Sequence, residues 1–400
     1  MKCRHCGAPL SLQLVDLGAS PPSNAFHATA EEKQESYRLR VLVCTDCWLA
    51  QTDIDLFKLN HDELFTADYP YYSSTSKGWV DHARDFVERM TKQLALGPDS
   101  LTVEVGANDG YLLQWVKTPC YGVEPTRTGD KAKEKGITIY PQFFGAKWAE
   151  NAAILHGKAD LMIANNVLAH VPDINDFVRG FANLLKPNGI ATFEFPHLLN
   201  LVQKAQFDTI YHEHYSYLSL TAVQRIFAAN GLEVFGVEKL PTHGGSLRVY
   251  AGHPGAHKPS DRLAFVLLEE EREGMKTEGF YEGFQRAAEK VKDDLLSFLL
   301  TAKSLGLSVV GFGAAAKGNT LLNYAGVKAD LLPCVADDTP SKQGQFLPGS
   351  GIPVVKAWSG TPDYVLVLPW NFRAEIMARL AFVREHGGKF VFAVPKLEVA

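Results

Sequence analysis

No apolar run in the 400 residues approaches the ~18 that a membrane span requires. A membrane-embedded helix is therefore not expected. Basic residues are in the minority, with 40 Lys and Arg against 45 Asp and Glu and a formal net charge of -5. A general binder of the phosphate backbone needs the opposite balance, so nucleic acid is not an expected partner. There is no fixed-period repeat and no low-complexity tract. The opening Met-Lys-Cys-Arg-His-Cys lacks the apolar stretch of a secretory signal. The expectation is a cytoplasmic chain with reduced thiols. What remains is ordinary globular material, 46% hydrophobic and 21% charged. Its length suits two or three domains.

Cysteine is scarce and unevenly placed, with six in all and four of them as Cys3-Arg-His-Cys6 and Cys44-Thr-Asp-Cys47. Two such knuckles fit one tetrahedral Zn(Cys)4 site, because each short turn can aim two thiolates at the same ion. Disulfides are disfavoured in a reducing compartment. A redox pair would sit where a strand enters a helix, and neither knuckle does. Four thiolates leave no open position, so the zinc is expected to be structural. His5 reads as a bystander, and Cys120 and Cys334 as buried small hydrophobes.

The remaining chain alternates strands and helices, which predicts an α/β fold with parallel, doubly wound sheets. The expected organisation is a zinc-binding domain over 1–60 and a methyltransferase-type α/β domain with a helical lead-in over 61–240. A largely helical connecting segment over 241–304 and a second Rossmann-like domain over 305–400 complete it. In the lead-in, Val80, Ala83, Phe86, Val87, Met90 and Leu94 recur at helical spacing. Leu101 to Val105, the segment at Tyr121, Leu161 to Ala164 and Ile190 to Phe195 read as buried strands. A helix begins near Asp173. The second unit's strands are expected at Leu307 to Val310, Leu332 to Ala336, Tyr364 to Leu368 and Phe390 to Val394.

The first strand, containing Glu104, runs into Gly106-Ala-Asn108-Asp109-Gly110, and Glu124 ends the next strand. At the carboxyl edge of a doubly wound sheet such an acid bonds ribose hydroxyls. The turn lacks the Gly-x-Gly-x-x-Gly through which a pyrophosphate approaches a helix N-terminus. Asn108 and Asp109 add polarity and negative charge. That combination suits S-adenosylmethionine (SAM), a sulfonium with a free amino group, better than a dinucleotide. Asn165, Asn166 and His170 follow a later strand, again where ligands bind.

Tyr211-His212-Glu213-His214-Tyr215 has no apolar period and reads as an acid/base cluster, since imidazole titrates near neutrality. Thr242-His243-Gly-Gly245-Ser246-Leu-Arg248 offers backbone donors and a guanidinium for an anionic group. Gly311-x-Gly313, followed by Asp337-Asp338 after a strand, imitates an NAD site. No residue set serves hydride transfer better than methyl transfer. Lys317, Asn319, Lys342 and the Gly318 backbone are candidates for a substrate diphosphate or nucleotide instead.

These blocks, in this order and over nearly the whole chain, resemble the SAM-dependent nucleotide-sugar C-methyltransferases of deoxysugar pathways. The blocks include the zinc knuckles, Tyr69-Pro-Tyr71-Tyr72-Ser-Ser, the Gly106 turn, Asn165-Asn166-Val-Leu-Ala-His170 and Tyr211-His-Glu213-His214. His243-Gly-Gly-Ser-Leu-Arg248, Gly311 to Asn319 and Asp337 to Gly344 complete the set. The resemblance implies a zinc domain, a SAM domain and a C-terminal Rossmann-like domain packed against it. It implies a nucleoside-diphosphate 4-keto-deoxysugar as substrate, dTDP-linked before GDP-linked, methylated at C3 before C5. An O- or N-methyltransferase acting on another small metabolite is the competing expectation. By the same match His214 is the base, with Tyr211 and Glu213 close by, and His170 and Asn166 face the sugar. Glu213 is expected to orient the imidazole or to bond a sugar substituent. One of Tyr69, Tyr71 and Tyr72 is expected to close over the sugar, with Tyr72 as the candidate contact. The chain is expected to act as a monomer.

Overall fold

The computed structural model describes residues 1–30, 32–54, 59, 64–65 and 71–400. Three sheets organise them. The first is antiparallel, in the order β1-β2-β3-β9, from β1 (Leu12–Ser20), β2 (Tyr37–Val43), β3 (Ala50–Thr52) and β9 (Ser216–Tyr217). Its last strand comes from far along the chain, directly after the Tyr211–Tyr215 cluster.

The second sheet has seven strands in the order β10-β11-β8-β7-β4-β5-β6. They are β4 (Thr102–Val105), β5 (Cys120–Val123), β6 (Ile139–Tyr140), β7 (Ala159–Asn165), β8 (Leu185–Pro196), β10 (Glu233–Leu240) and β11 (Ser246–Gly252). β4 to β8 are parallel, and β11 lies antiparallel between β8 and β10. Strands covered on both faces read as continuous apolar runs, as Leu161 to Ala164 of β7 do, all four buried. The helix Ile174–Leu184 presents Ile174, Phe177, Val178, Phe181 and Leu184 inward at helical spacing. Phe181 meets Phe193 of β8 with ring centroids 4.5 Å apart, and Phe193 meets Phe227 at 4.7 Å. The 241–304 segment differs from expectation. It first supplies β11, which completes this sheet, and only then its helices Asp261–Arg272 and Phe284–Ser304.

The third sheet, β14-β13-β12-β15-β16-β17, is parallel except for its last strand. It comprises β12 (Val309–Phe312), β13 (Val335–Ala336), β14 (Val354–Val355), β15 (Tyr364–Val367), β16 (Lys389–Phe392) and β17 (Glu398–Val399). β12 starts two residues later than the hydrophobic run implied, so Gly311 lies inside the strand. A Cβ there would come within 2.6 Å of Val335 Cγ2, and the glycine is what lets β12 and β13 approach. Cys120 and Cys334, expected to be buried, are only partly so. Among the described residues no helix is long and apolar enough to cross a membrane.

Candidate active site between two sheets

The carboxyl edges of the second and third sheets face each other across a cleft of about 660 Å³. Gly106, Glu124, Asn165 and Pro196 follow or end strands of one sheet, and Gly313, Asp337 and Pro369 follow strands of the other. Ligands of open α/β sheets bind at this edge.

On the first side, Gly106 adopts φ 72°, and a Cβ there would overlap Val167. Only glycine combines that backbone with that approach. Glu124 lies at the rim, its carboxylate accepting from the Asn108 N–H at 2.9 Å and the Thr126 hydroxyl at 2.7 Å. Burial pushes its carboxyl upward, against those hydrogen bonds. Glu124 and Asp173 both line the cleft, with Tyr111 and Trp79 as apolar wall. A bare glycine backbone and two carboxylates beside an apolar wall fit a cationic nucleoside such as SAM.

Glu104, Asp109 and Gly110 of the expected cofactor set do not line the cleft, whereas Asn108 does at its edge. Glu104 is fully buried in β4, and burial holds its carboxyl well above the usual range. The Asn108 and Asp109 side chains turn toward the 71–75 segment, not the cleft centre. Asn108 accepts from the Ser73 N–H at 2.9 Å, and Asp109 from the Ser74 N–H at 3.1 Å. They clasp the segment that brings Tyr71 and Tyr72 to the cleft. Gly110 (φ 74°) packs against Ile137 and Ala132. Tyr69 lies outside the described residues.

The acid/base cluster sits at the centre. The 3₁₀ turn Phe207–Thr209 presents the Thr209 carbonyl, which accepts from His214 Nδ1 at 2.8 Å. A carbonyl only accepts, so Nδ1 carries the proton and Nε2 keeps the basic lone pair. His170 is fixed the same way by the Glu213 carbonyl at 2.8 Å. The His170 and His214 ring centroids are 4.6 Å apart, and Tyr211 lies 3.9 Å from His214. Burial, then the neighbouring His170, holds the His214 imidazole well below its ordinary 6.5, and the Thr209 hydrogen bond only partly opposes this. His214 is neutral at neutral pH and able to accept a proton. The Glu213 carboxylate, expected to orient this ring or to bond a sugar substituent, does not orient the ring. It accepts from Asn24 Nδ2 at 3.0 Å and the Asn24 N–H at 3.2 Å.

Asn166 takes φ 55° and its amide donates to His243 Nε2 at 3.0 Å, and both line the cleft. Arg248 does not reach it. The guanidinium is buried, 2.6 Å from Glu194 and stacked on Phe86 at 4.2 Å. Glu194 in turn accepts from His82 at 2.9 Å and from Thr242, beside His243, at 2.8 Å. Arg248 therefore supports the loop carrying His243. Asn319 is likewise buried and donates to the Ser23 carbonyl at 2.6 Å. Lys317 and Lys342 line the cleft from the C-terminal sheet. The acid of the apparent NAD motif closes its own loop, Asp337 accepting from the Ala314 N–H at 2.7 Å and the Thr339 N–H at 2.8 Å. Trp79, Tyr111, Thr209, Asn371 and Arg379 also line the cleft and escaped the sequence reading.

The four knuckle sulfurs converge, all within 4.8 Å of one another. Cys3 and Cys47 are 3.5 Å apart, as are Cys6 and Cys44, far beyond a disulfide bond and close to tetrahedral S–Zn–S spacing. The donor set fits zinc. His5 is no ligand and contacts Asn175 at 2.8 Å.

Comparison with known proteins agrees with this anatomy. Family descriptions match in chain order: "Putative zinc binding domain" over residues 3–57, "Methyltransferase domain" over 80–236 and "C-methyltransferase C-terminal domain" over 241–395. The C-methyltransferase NovU of Streptomyces niveus is 32% identical over 408 residues, covering 100% of this chain and 96% of NovU. The chain belongs to this C-methyltransferase family. It is a SAM-dependent C-methyltransferase with an N-terminal zinc-binding domain, as expected, and the competing O- or N-methyltransferase expectation is not supported. Among solved structures, a SAM-dependent methyltransferase from Clostridium acetobutylicum is 13% identical, with TM-score 0.36 over 50% of this chain and 98% of its own. The magnesium protoporphyrin IX methyltransferase ChlM of Synechocystis, bound to SAH, is 18% identical, with TM-score 0.34 over 43% and 84%.

Proposed function

We propose that this C-methyltransferase acts on a nucleoside-diphosphate 4-keto-deoxysugar, dTDP-linked, and methylates the ring carbon next to the ketone, C3 before C5. The observation carrying this reading is the neutral His214 imidazole at the meeting of the two sheets, its Nδ1 locked by Thr209. A saturated sugar carbon is not nucleophilic. Beside a ketone its proton is acidic enough for a positioned imidazole to remove. When bound, SAM supplies the electrophilic methyl group, and Gly106, Glu124 and Asn165 would hold it.

The chain's own residues do the rest. His214 Nε2 takes the proton, and the Thr209 carbonyl stabilises the imidazolium through Nδ1. Tyr211 and His170 pack against that ring and fix its angle. Tyr72, Asn166 and His243 contact the sugar, and Lys342 lies toward the nucleotide at the C-terminal sheet. The methylated carbon and the sugar are tested by the mass and NMR spectrum of the product from SAM and a panel of nucleotide 4-keto sugars. A methylated carbon next to the ketone is expected. A methyl group on oxygen or nitrogen, or no turnover with any member, would overturn the reading.

A further inference from the structure

Lys317 was expected among the groups that hold the diphosphate. Its surroundings point elsewhere. It stands in the first turn of the helix Ala316–Ala325 and lines the cleft. Its ammonium donates to Asn371 Oδ1 at 2.7 Å and lies 4.7 Å from the Trp370 ring. No carboxylate among the described residues pairs with it within 4.0 Å. The neighbouring Asp208 carboxylate is engaged by Trp370 Nε1 at 2.6 Å. Burial lowers the ammonium's pKa and the nearby Asp208 carboxylate opposes that, so the cation at the cleft has a counter-ion close by but not in contact.

Its anchoring is shared with the base. Asp208 holds Trp370, beneath Lys317, and the next residue, Thr209, holds His214 Nδ1 at 2.8 Å. The helix bearing Lys317 is bolted to the same turn, Thr320 Oγ1 donating to the Ile210 carbonyl at 2.8 Å. The 207–210 segment therefore sets cation and base relative to each other. By itself this arrangement costs basicity, since the Lys317 charge adds to the burial and the His170 charge that lower the His214 pKa. It becomes favourable only when an anion forms beside both groups. Lys342, which donates to the Ala314 carbonyl at 2.8 Å, and Arg379, which pairs with Asp338, line the C-terminal part of the same cleft and are the other cations a diphosphate could meet.

We propose that the Lys317 ammonium is a catalytic group that donates to the substrate's ketone oxygen and holds the charge developing there. This rests on the carbon-acid reading above. As the C–H bond breaks, its proton goes to His214 Nε2 and its electron pair forms the carbon–carbon double bond. The carbonyl π pair moves onto oxygen, where Lys317 donates. Charge is conserved and no oxidant or reductant takes part. A preorganised donor aimed at a developing oxyanion is usually a large catalytic contribution.

The test compares Lys317→Met and Lys317→Gln with wild type on the dTDP-4-keto sugar that wild type methylates. Loss of one oxyanion donor predicts a kcat about 10²–10³-fold lower. The same loss is expected in deuterium wash-in from D₂O next to the ketone without SAM. Substrate Kd should change by less than about threefold, because the interaction strengthens only in the transition state. A folded variant within about tenfold of wild-type kcat would overturn the assignment. So would a variant that loses substrate affinity but keeps kcat at saturation, which marks a phosphate anchor. A measurement on wild type covers variants that misfold: the ¹³C resonance of the ketone carbon should move downfield on binding, and an unmoved resonance would also overturn it. If wild type neither methylates nor exchanges any 4-keto sugar, the carbon-acid reading itself falls, and the lysine's role with it.

Discussion

Replacing His214 by Asn removes the base while keeping its anchor. The Asn amide retains a donor for the Thr209 carbonyl, which now takes His214 Nδ1–H at 2.8 Å. Loss of a general base typically costs 10²–10⁴ in rate, about 3–5 kcal/mol of barrier. His170, 4.6 Å away ring to ring, is the group able to take over part of the work, so the residual rate reports its contribution. A base works when unprotonated, and His214 is held well below 6.5 by burial and by His170. The acid limb of kcat/KM should therefore fall below the ordinary imidazole range, leaving the rate flat through neutral pH. In D₂O without SAM, wild type should exchange the proton next to the ketone and His214→Asn should not. Near-normal turnover of the variant, or an acid limb at 6.5 or above, would refute the assignment.

Glu124→Ala should weaken SAM binding about 10–100-fold in calorimetry, the worth of hydrogen bonds to a charged acceptor, and leave nucleotide-sugar binding intact. Unchanged SAM affinity would reject the ribose role. Arg248→Met takes the guanidinium from the buried Glu194 and leaves it only His82 and Thr242, so urea unfolding should show a loss of about 3 kcal/mol, the lower end for breaking a buried pair. Burial would raise the Glu194 carboxyl, but His82 and Arg248 outweigh it and bring it down to about 2. A depressed acid stabilises the fold above its unfolded value of about 4.3, and that stability fades as pH falls toward 2. The variant should flatten this slope, and an unaltered slope would count against the pairing. Cys44→Ser should lose zinc by metal analysis and lose thermal stability. Fresh wild-type protein without zinc would contradict the thiolate site.

Some of this was legible in the sequence because the chemistry is local. Two residues between cysteines define a zinc knuckle, and the glycine turn at Gly106 after a buried strand announces a doubly wound sheet. Long-range pairing was not legible. Arg248 looked like an anion clamp in a glycine-rich turn, yet alternation along β11 points it under the sheet, where Glu194 of the neighbouring strand meets it. Glu213 looked like the partner of His214, yet a backbone carbonyl does that work, and no side-chain pattern reports a carbonyl. β11 itself was hidden in a segment dominated by its later helical periodicity. Trp79 was readable only as one apolar position of a helix, and its stacking near Tyr111, His82 and His243 needs three distant segments together.

The zinc module is coupled to the base more tightly than two separate domains would be. The expectation from the knuckles was that losing a thiolate would harm folding of the module and spare the chemical step. The strand β9 changes that. It begins two residues after His214 and pairs with β3 through Ala50 and Gln51. Gln51 Nε2 donates to Cys3 Sγ at 3.2 Å, and Gln51 Oε1 accepts from the Arg4 N–H, inside the first knuckle, at 2.9 Å. The Arg4 side chain then donates to the Tyr215 carbonyl at 2.8 Å, which also accepts from the Thr52 N–H at 3.1 Å. Thiolates, Gln51 and the residue after His214 form one hydrogen-bonded run. Releasing the metal leaves four thiols without the ion that holds their turns, and the slack reaches Tyr215 first. Zinc-depleted enzyme that still binds SAM should thus lose kcat before it loses SAM affinity, because Gly106 and Glu124 sit on β4 and β5, away from that run. Depleted, folded enzyme with wild-type kcat would show that the module only supports the fold.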